Sequence, residues 1–325
     1  MTQTIDRLSV DAGGGGPLAP LAGQRPAAPG WFDAALAQSP ERSRVEVAGA
    51  GIEVLTWGER GHPGLMLLHG NGAHADWWSP LAPFFVESGY RVTALTWSGM
   101  GGSDWRQHYD PETFAQEVLA ACAATGLFEP AAKPILIAHS FGGFLAAYCA
   151  ARHGERFAGV VSVDSPIRPS GFVHDGPPTR SRPNRIYPTF EETLARFRLA
   201  PQQPCANLWY LDHVGRVSIK AVEGGFTWKF DPFIWSAFEL GDPNPFLRDA
   251  ACPMAVVWGD RSALMAPEVL AHMRRTAPVG TPFFAIPDAD HHVMIDQPLP
   301  FVAALRGLLA GWPHGQTVAA PRGAV

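Results

Sequence analysis

Residues 134–153 read PILIAHSFGGFLAAYCAARH, and this stretch decides the fold. Ile135, Leu136 and Ile137 form a short apolar run suited to a strand buried on both faces. Ala138-His139-Ser140-Phe141-Gly142 is a tight turn. Helix formers follow, among them Leu145, Ala146, Ala147 and Ala150, with small residues at Gly142 and Gly143 that let a helix lie close to a sheet. Strand, serine turn and helix together match the pattern G-x-S-x-G, with Ala138 in place of the first glycine. Small residues are required two positions either side of the serine because its backbone is strained. The turn holds the Ser140 hydroxyl above the sheet. The Phe141 amide then sits at the positive end of the helix, where it can stabilise an oxyanion.

Outward from this stretch, strands and helices alternate from residue 64 to 164. Leu65 to Leu68 is a strand that runs into His69-Gly70-Asn71-Gly72. A helix is expected from about Asp76 to Ser88, then a strand over Arg91 to Leu95. Asp110-Pro111 starts a helix with an N-cap acceptor and a proline at the first helical position. Ala158 to Val163 is the strand after the serine turn. Such alternation predicts right-handed crossovers and a mostly parallel, doubly wound α/β sheet. Upstream, Val45 to Ala48 and Ile52 to Trp57 predict a hairpin around Gly49-Ala50-Gly51, preceded by a short helix over Trp31 to Gln38.

The alternation breaks over residues 165–248, which are rich in proline, arginine and aromatics. The capping box Thr189-Phe190-Glu191-Glu192 signals one helix there, Leu208 to Lys220 a second, and Gly224 to Asp231 an extended run. This is read as an inserted helical cap. A strand over Met254 to Trp258, a helix from Pro267, a strand over Pro282 to Ile286 and a helix from about Pro298 to Leu309 complete the pattern. The expected organisation is a flexible leader (1–30), a core (31–164 and 249–312), a cap (165–248) and a flexible tail (313–325).

The 325-residue chain has 46% apolar and 17% charged residues and a formal charge of −5. Its pI near 6.2 gives no support to nucleic-acid binding. No apolar run is long enough to span a bilayer, and the first residues lack a secretory signal. Cys122, Cys149, Cys205 and Cys252 are scattered, with no C-x-x-C pair. They fit a reduced, cytoplasmic protein with neither structural zinc nor a cofactor. A homodimer is compatible with this composition.

The order serine, then acid, then histidine is that of the α/β-hydrolases, which the chain resembles over roughly residues 40 to 312. Four segments carry the resemblance: His69-Gly70, the run Thr96 to Ser103, the serine turn, and Asp290 to Pro298. The second is similar to the family's D-x-x-G-x-G-x-S turn, with Thr96 where aspartate is usual. In the fourth, the family's catalytic histidine lies seven residues before proline, which selects His291 over His292.

The resemblance implies a Ser140 nucleophile, a His291 base and an oxyanion hole from the amides of Asn71 and Phe141. In much of the family the acid follows the penultimate strand as G-x-x-D. Here that segment is Gly259-Asp260-Arg261-Ser262, so serine holds the usual place. Asp164, at the end of the strand after the serine helix, is the preferred acid. Asp260 is the alternative, and Asp288 and Asp290 are further acids within reach.

His74, Trp77, His139 and Trp228 are candidate walls of the substrate pocket, each with core packing as the competing reading. His69 is expected to be structural, and His292 to pack nearby. A serine at the turn argues against dehalogenase and epoxide hydrolase chemistry, which in this fold use aspartate there. The expectation is a cofactor-independent hydrolase of a carboxylic ester or lactone with an apolar acyl part. A carbon–carbon bond hydrolase for diketones, a lyase and a non-hydrolytic ligand-binding protein are the competing functions.

Overall fold

A computed structural model describes residues 15–172, 179–239 and 241–312. From the N-terminal side, α1 (Gly30–Leu36) precedes β1 (Glu41–Val47), β2 (Ala50–Trp57) and β3 (Gly64–Leu68). Next come α2 (Ala82–Val86), β4 (Arg91–Leu95), α3 (Pro111–Ala124), β5 (Ile135–His139), α4 (Phe141–His153) and β6 (Gly159–Val163). The inserted segment holds α5 (Phe190–Leu194), α6 (Leu208–Val217), β7 (Ile219–Val222), β8 (Gly225–Trp228) and α7 (Asn244–Arg248). The chain then runs through β9 (Met254–Gly259), α8 (Pro267–Thr276), β10 (Phe283–Ile286), α9 (Val293–Asp296) and α10 (Pro298–Ala310).

Eight strands form one sheet in the order β1-β2-β4-β3-β5-β6-β9-β10. The β1–β2 and β2–β4 pairs are antiparallel; every later pair is parallel. Residues Ala48 and Gly49 close the first hairpin with φ of 46° and 76°, the left-handed pair a two-residue turn needs. Alternation of side chains across β5 explains why its apolar run is continuous. Ile135 and Ile137 enter one core cluster, Leu136 and Ala138 the other. From β3 the chain steps to β4 on one side, then crosses back to β5 on the other. Crossovers leave in opposite directions at this point, so a crevice opens beyond the carboxyl ends of β3 and β5. Those ends carry His69-Gly70-Asn71 and Ser140.

The helix expected over 76–88 is broken into a 3₁₀ turn (Ala75–Trp78) and α2. Pro80 and Pro83 lack the amide that a continuous helix needs there. Helix α3 starts as expected: Asp110 Oδ1 accepts the Thr113 amide at 2.8 Å. In the insertion, Thr189 Oγ1 accepts the Glu192 amide at 3.1 Å and caps α5. Strands β7 and β8 make a separate two-stranded sheet, so the expected extended run is one arm of a hairpin. Helix α7 packs on α4 and α8, so the chain has rejoined the core before residue 249.

The cap is tied to the core by backbone pairing: the Gly101 amide donates to Lys229 O at 2.6 Å and the Asp231 amide to Gly99 O at 2.7 Å. The expectation that the leader packs little is corrected from Gly15 onward. The Gly16 amide donates to Ala195 O at 2.6 Å, and Leu18 is only 2% exposed within the cap-side core. Buried Leu18 and cap carbonyls supply contacts that a glycine- and proline-rich composition does not advertise. Residues 1–14 and the expected tail from 313 lie outside the described residues. No helix among the described residues is long and apolar enough to cross a membrane.

Candidate active site

Ser140 sits between β5 and α4 with φ 53° and ψ −118°, a sterically costly conformation for a residue with a side chain. The surroundings hold it there. Its amide donates to Val163 O at 2.9 Å on β6, and its carbonyl accepts the Gly143 amide at 2.9 Å. A Cβ on Gly142 would lie 2.7 Å from His69 O, and one on Gly143 would lie 1.9 Å from Ser165 Oγ. These approaches explain the small residues after the serine. Ala138 is fully buried among apolar neighbours, so its methyl fits where the motif has glycine. Ser140 itself stays partly exposed.

Phe141 opens α4, so its amide has no acceptor within the helix. Across from it, the turn after β3 is closed by the Ala73 amide on Gly70 O at 3.3 Å, with Gly72 at φ 72°. Asn71 is exposed in this turn. Gly70 brings the turn against the elbow: a Cβ there would lie 3.1 Å from Ser140 Cβ. His69 holds the turn from below. Its Nδ1 donates to Gly70 O at 2.7 Å and its Nε2 accepts the Trp97 amide at 3.1 Å. Burial lowers its pKa to about 3, so it is neutral and structural, as expected.

The carboxylate beside His291 belongs to Asp164. His291 Nδ1 donates to Asp164 Oδ1 at 2.7 Å, with Asp164 wholly buried. The same Oδ1 accepts Ser262 Oγ at 2.7 Å, and Oδ2 accepts the Gly259 amide at 2.9 Å. Asp164 leaves β6 at φ 47°, its amide pinned to Val257 O on β9 at 2.7 Å. Ser262, standing where the acid is usual, therefore holds the carboxylate of the neighbouring strand. The alternative acid, Asp260, is corrected: it is exposed, and its amide donates to Ile286 O at 3.1 Å on the outer edge of the sheet. Neither of the other two acids is the carboxylate on His291 Nδ1, which is Asp164. Asp288 pairs with Arg261, and the Asp290 amide donates to Asp296 Oδ2.

Three imidazoles surround the elbow. His139 Nε2 donates to His291 O at 2.9 Å, and the two rings lie 4.7 Å apart. The His292 ring is 4.9 Å from that of His291. Burial, reinforced by His291, holds the pKa of both His139 and His292 well below the ordinary value. Both are neutral scaffolding. With Nδ1–H committed to Asp164, His291 keeps Nε2 as the nitrogen able to accept a proton.

Of the four expected pocket residues, Trp77 and His139 line a small cavity beside the elbow with Gly70 and Trp78. His74 and Trp228 do not line it. His74 Nε2 and Trp77 Nε1 both donate to Ser218 Oγ of the cap, at 3.2 and 3.1 Å. His74 is thus a cap anchor. Trp228 packs on Phe197 inside the cap, with centroids 5.9 Å apart. Phe141, which follows the nucleophile in sequence, is buried and packs against Trp235 and Phe238 of the inserted segment, with centroids 5.3 to 5.7 Å apart. Ser262 and Gln203 were not singled out from sequence as site residues. Ser262 was visible only as a missing acid, and Gln203 carried no signal in the chain.

A sequence model described as the alpha/beta hydrolase family matches residues 65–305. Epoxide hydrolase 3 of Xenopus tropicalis is 24% identical over 310 residues, covering 87% of this chain and 81% of that protein. Esterase Rv0045c of Mycobacterium tuberculosis is 26% identical over 284 residues, 83% of this chain and 89% of the esterase. Among solved structures, E-2-(acetamidomethylene)succinate hydrolase superposes with a TM-score of 0.68 at 18% identity, covering 84% of this chain and all of that one. That likeness shows the fold.

Proposed function

The chain belongs to the alpha/beta hydrolase family and is a hydrolase, and from that premise we propose that it cleaves carboxylic esters or lactones through an acyl-enzyme on Ser140. The observation that carries the reading is the fully buried Asp164–His291 hydrogen bond at 2.7 Å beside a serine elbow. His291 Nε2 removes the Ser140 proton as Oγ attacks the acyl carbon. The Phe141 and Asn71 amides hold the resulting oxyanion, and loss of one such donor typically costs about 100- to 1,000-fold. The alkoxide leaves with the proton from His291. Water, deprotonated by His291, then releases the acid and returns the proton to Ser140.

Relatives named epoxide hydrolase do not shift this reading. Serine attack on an epoxide would form an ether, which this machinery has no means to hydrolyse. Attack on an ester forms another ester, which water can cleave. The small cavity beside the elbow, lined by Ala73, Trp77, Trp78 and Met294, supports an apolar acyl group.

The test is labelling by a fluorophosphonate with turnover of a short nitrophenyl ester. Wild-type protein is expected to be labelled at Ser140 and to turn over. Ser140→Ala is expected to lose labelling and at least about 10⁴-fold in kcat while keeping its fold. Folded wild-type protein that resists the label would sink the proposal.

A further inference from the structure

The loop carrying His291 is gripped from the cap. Gln203 Oε1 accepts two hydrogen bonds from His292, from the backbone amide at 2.9 Å and from ring Nδ1 at 2.8 Å. Its Nε2 donates to Asp296 Oδ2 at 2.8 Å. That same oxygen accepts the Asp290 amide at 2.8 Å. Gln203 thereby ties together the residues on both sides of His291. A second cap residue, Asn207, donates to the carbonyls of Ile295 and Asp296 at 2.8 and 3.0 Å. The His291 ring is wedged between His139 and His292, and the His292 ring is the one Gln203 orients.

We propose that Gln203 is a positioning residue for the reaction: it aligns His291 by clamping its loop, so that seating of the cap sets the geometry of the triad. This rests on His291 being the base of the proposed function. The clamp needs a carboxamide. One end must accept two N–H groups and the other must donate to a carboxylate. Leucine leaves both sides bare, and glutamate sets two carboxylates face to face.

The Asp296 carboxyl gives a specific readout. Burial raises it to about 6; the Asp290 amide and Gln203 lower it, the Asp290 carboxylate raises it and His291 lowers it. The half-buried Cys205 thiol also faces it and is itself pushed up to about 12, chiefly by desolvation.

Gln203→Leu is expected to lower kcat about 10- to 100-fold on a nitrophenyl ester with KM changed less than about twofold. Gln203→Glu, of nearly the same volume, is expected to be as impaired at pH 8. In this variant the two facing carboxylates raise each other's pKa, so as pH falls one takes a proton and can donate to the other. The ratio of Gln203→Glu to wild-type turnover then rises, while the Gln203→Leu ratio stays flat. A ratio for Gln203→Glu that does not change with pH, or wild-type kcat in both variants, overturns the proposal.

A second readout needs no substrate. The proton NMR resonance of the His291 Nδ1–H bonded to Asp164 is expected to shift or broaden in Gln203→Leu and to persist in Ser140→Ala. An unchanged resonance in folded Gln203→Leu overturns the clamp whatever the substrate. Failure of fluorophosphonate labelling in wild-type protein overturns the serine hydrolase reading instead.

Discussion

Two turns of this molecule carry a hydroxyl where an acid is usual, and each borrows its carboxylate from the next strand. After β4, Thr96 Oγ1 donates to Glu53 Oε2 of β2 at 3.0 Å, and that oxygen also accepts the Gly102 amide at 3.1 Å. After β9, Ser262 Oγ donates to Asp164 of β6. The sheet permits both exchanges because adjacent strand ends lie within one side chain of each other. The consequences differ. Glu53 is partly exposed, has Arg42 3.8 Å away and holds backbone in a turn. Asp164 is buried, has no arginine or lysine partner among the described residues and meets three donors, one of them an imidazole. The first arrangement keeps a loop in shape. The second can stabilise a charge that appears on His291 during a reaction.

Substituting the carboxylates separates these roles most sharply. Asp164→Asn is expected to reduce kcat by about 10³- to 10⁴-fold, because an amide cannot stabilise the imidazolium. Asp260→Asn, in the same ester assay, is expected to stay within about twofold of wild type. The reverse ranking would return the acid to the β9 strand end.

Ser262→Ala probes the borrowed position more gently. It removes one donor to a buried carboxylate, an interaction worth about 1.5–3 kcal/mol. Urea unfolding is expected to show a loss of that order, with turnover down about tenfold. Glu53→Gln is the smallest effect. It keeps an acceptor for Thr96 and loses only the charge facing exposed Arg42, so stability should fall by no more than about 1 kcal/mol. Turnover should be unchanged; a loss matching Ser262→Ala would mean that the two turns are not functionally distinct.

Much of the fold was legible because its signals are local. The apolar run of β5, the glycines after Ser140 and the Asp110-Pro111 start of α3 each state their structure within a few residues. The helix expected over 76–88 failed where Pro80 and Pro83 outweighed its apolar residues. The packed part of the leader was missed because Leu18 finds its partners in the cap, far along the chain. His74 was expected at a pocket wall for its position near the oxyanion turn, yet its ring is spent on Ser218, 144 residues away.

The candidate site divides the same way. Ser140, Phe141 and His291 were chosen from sequence because an elbow and a histidine loop are short patterns with strict local demands. Asp164 was preferred over Asp260 only because position 262 lacked an acid. The sequence by itself determined the doubly wound sheet, the serine elbow and the chain order of its partners. Only the tertiary structure decided which carboxylate meets His291, that Ser262 serves that carboxylate, and that Gln203 reaches the histidine loop from the cap. Those contacts join residues some 90 or more positions apart. Their geometry is set by strand adjacency and cap docking, which no local pattern encodes.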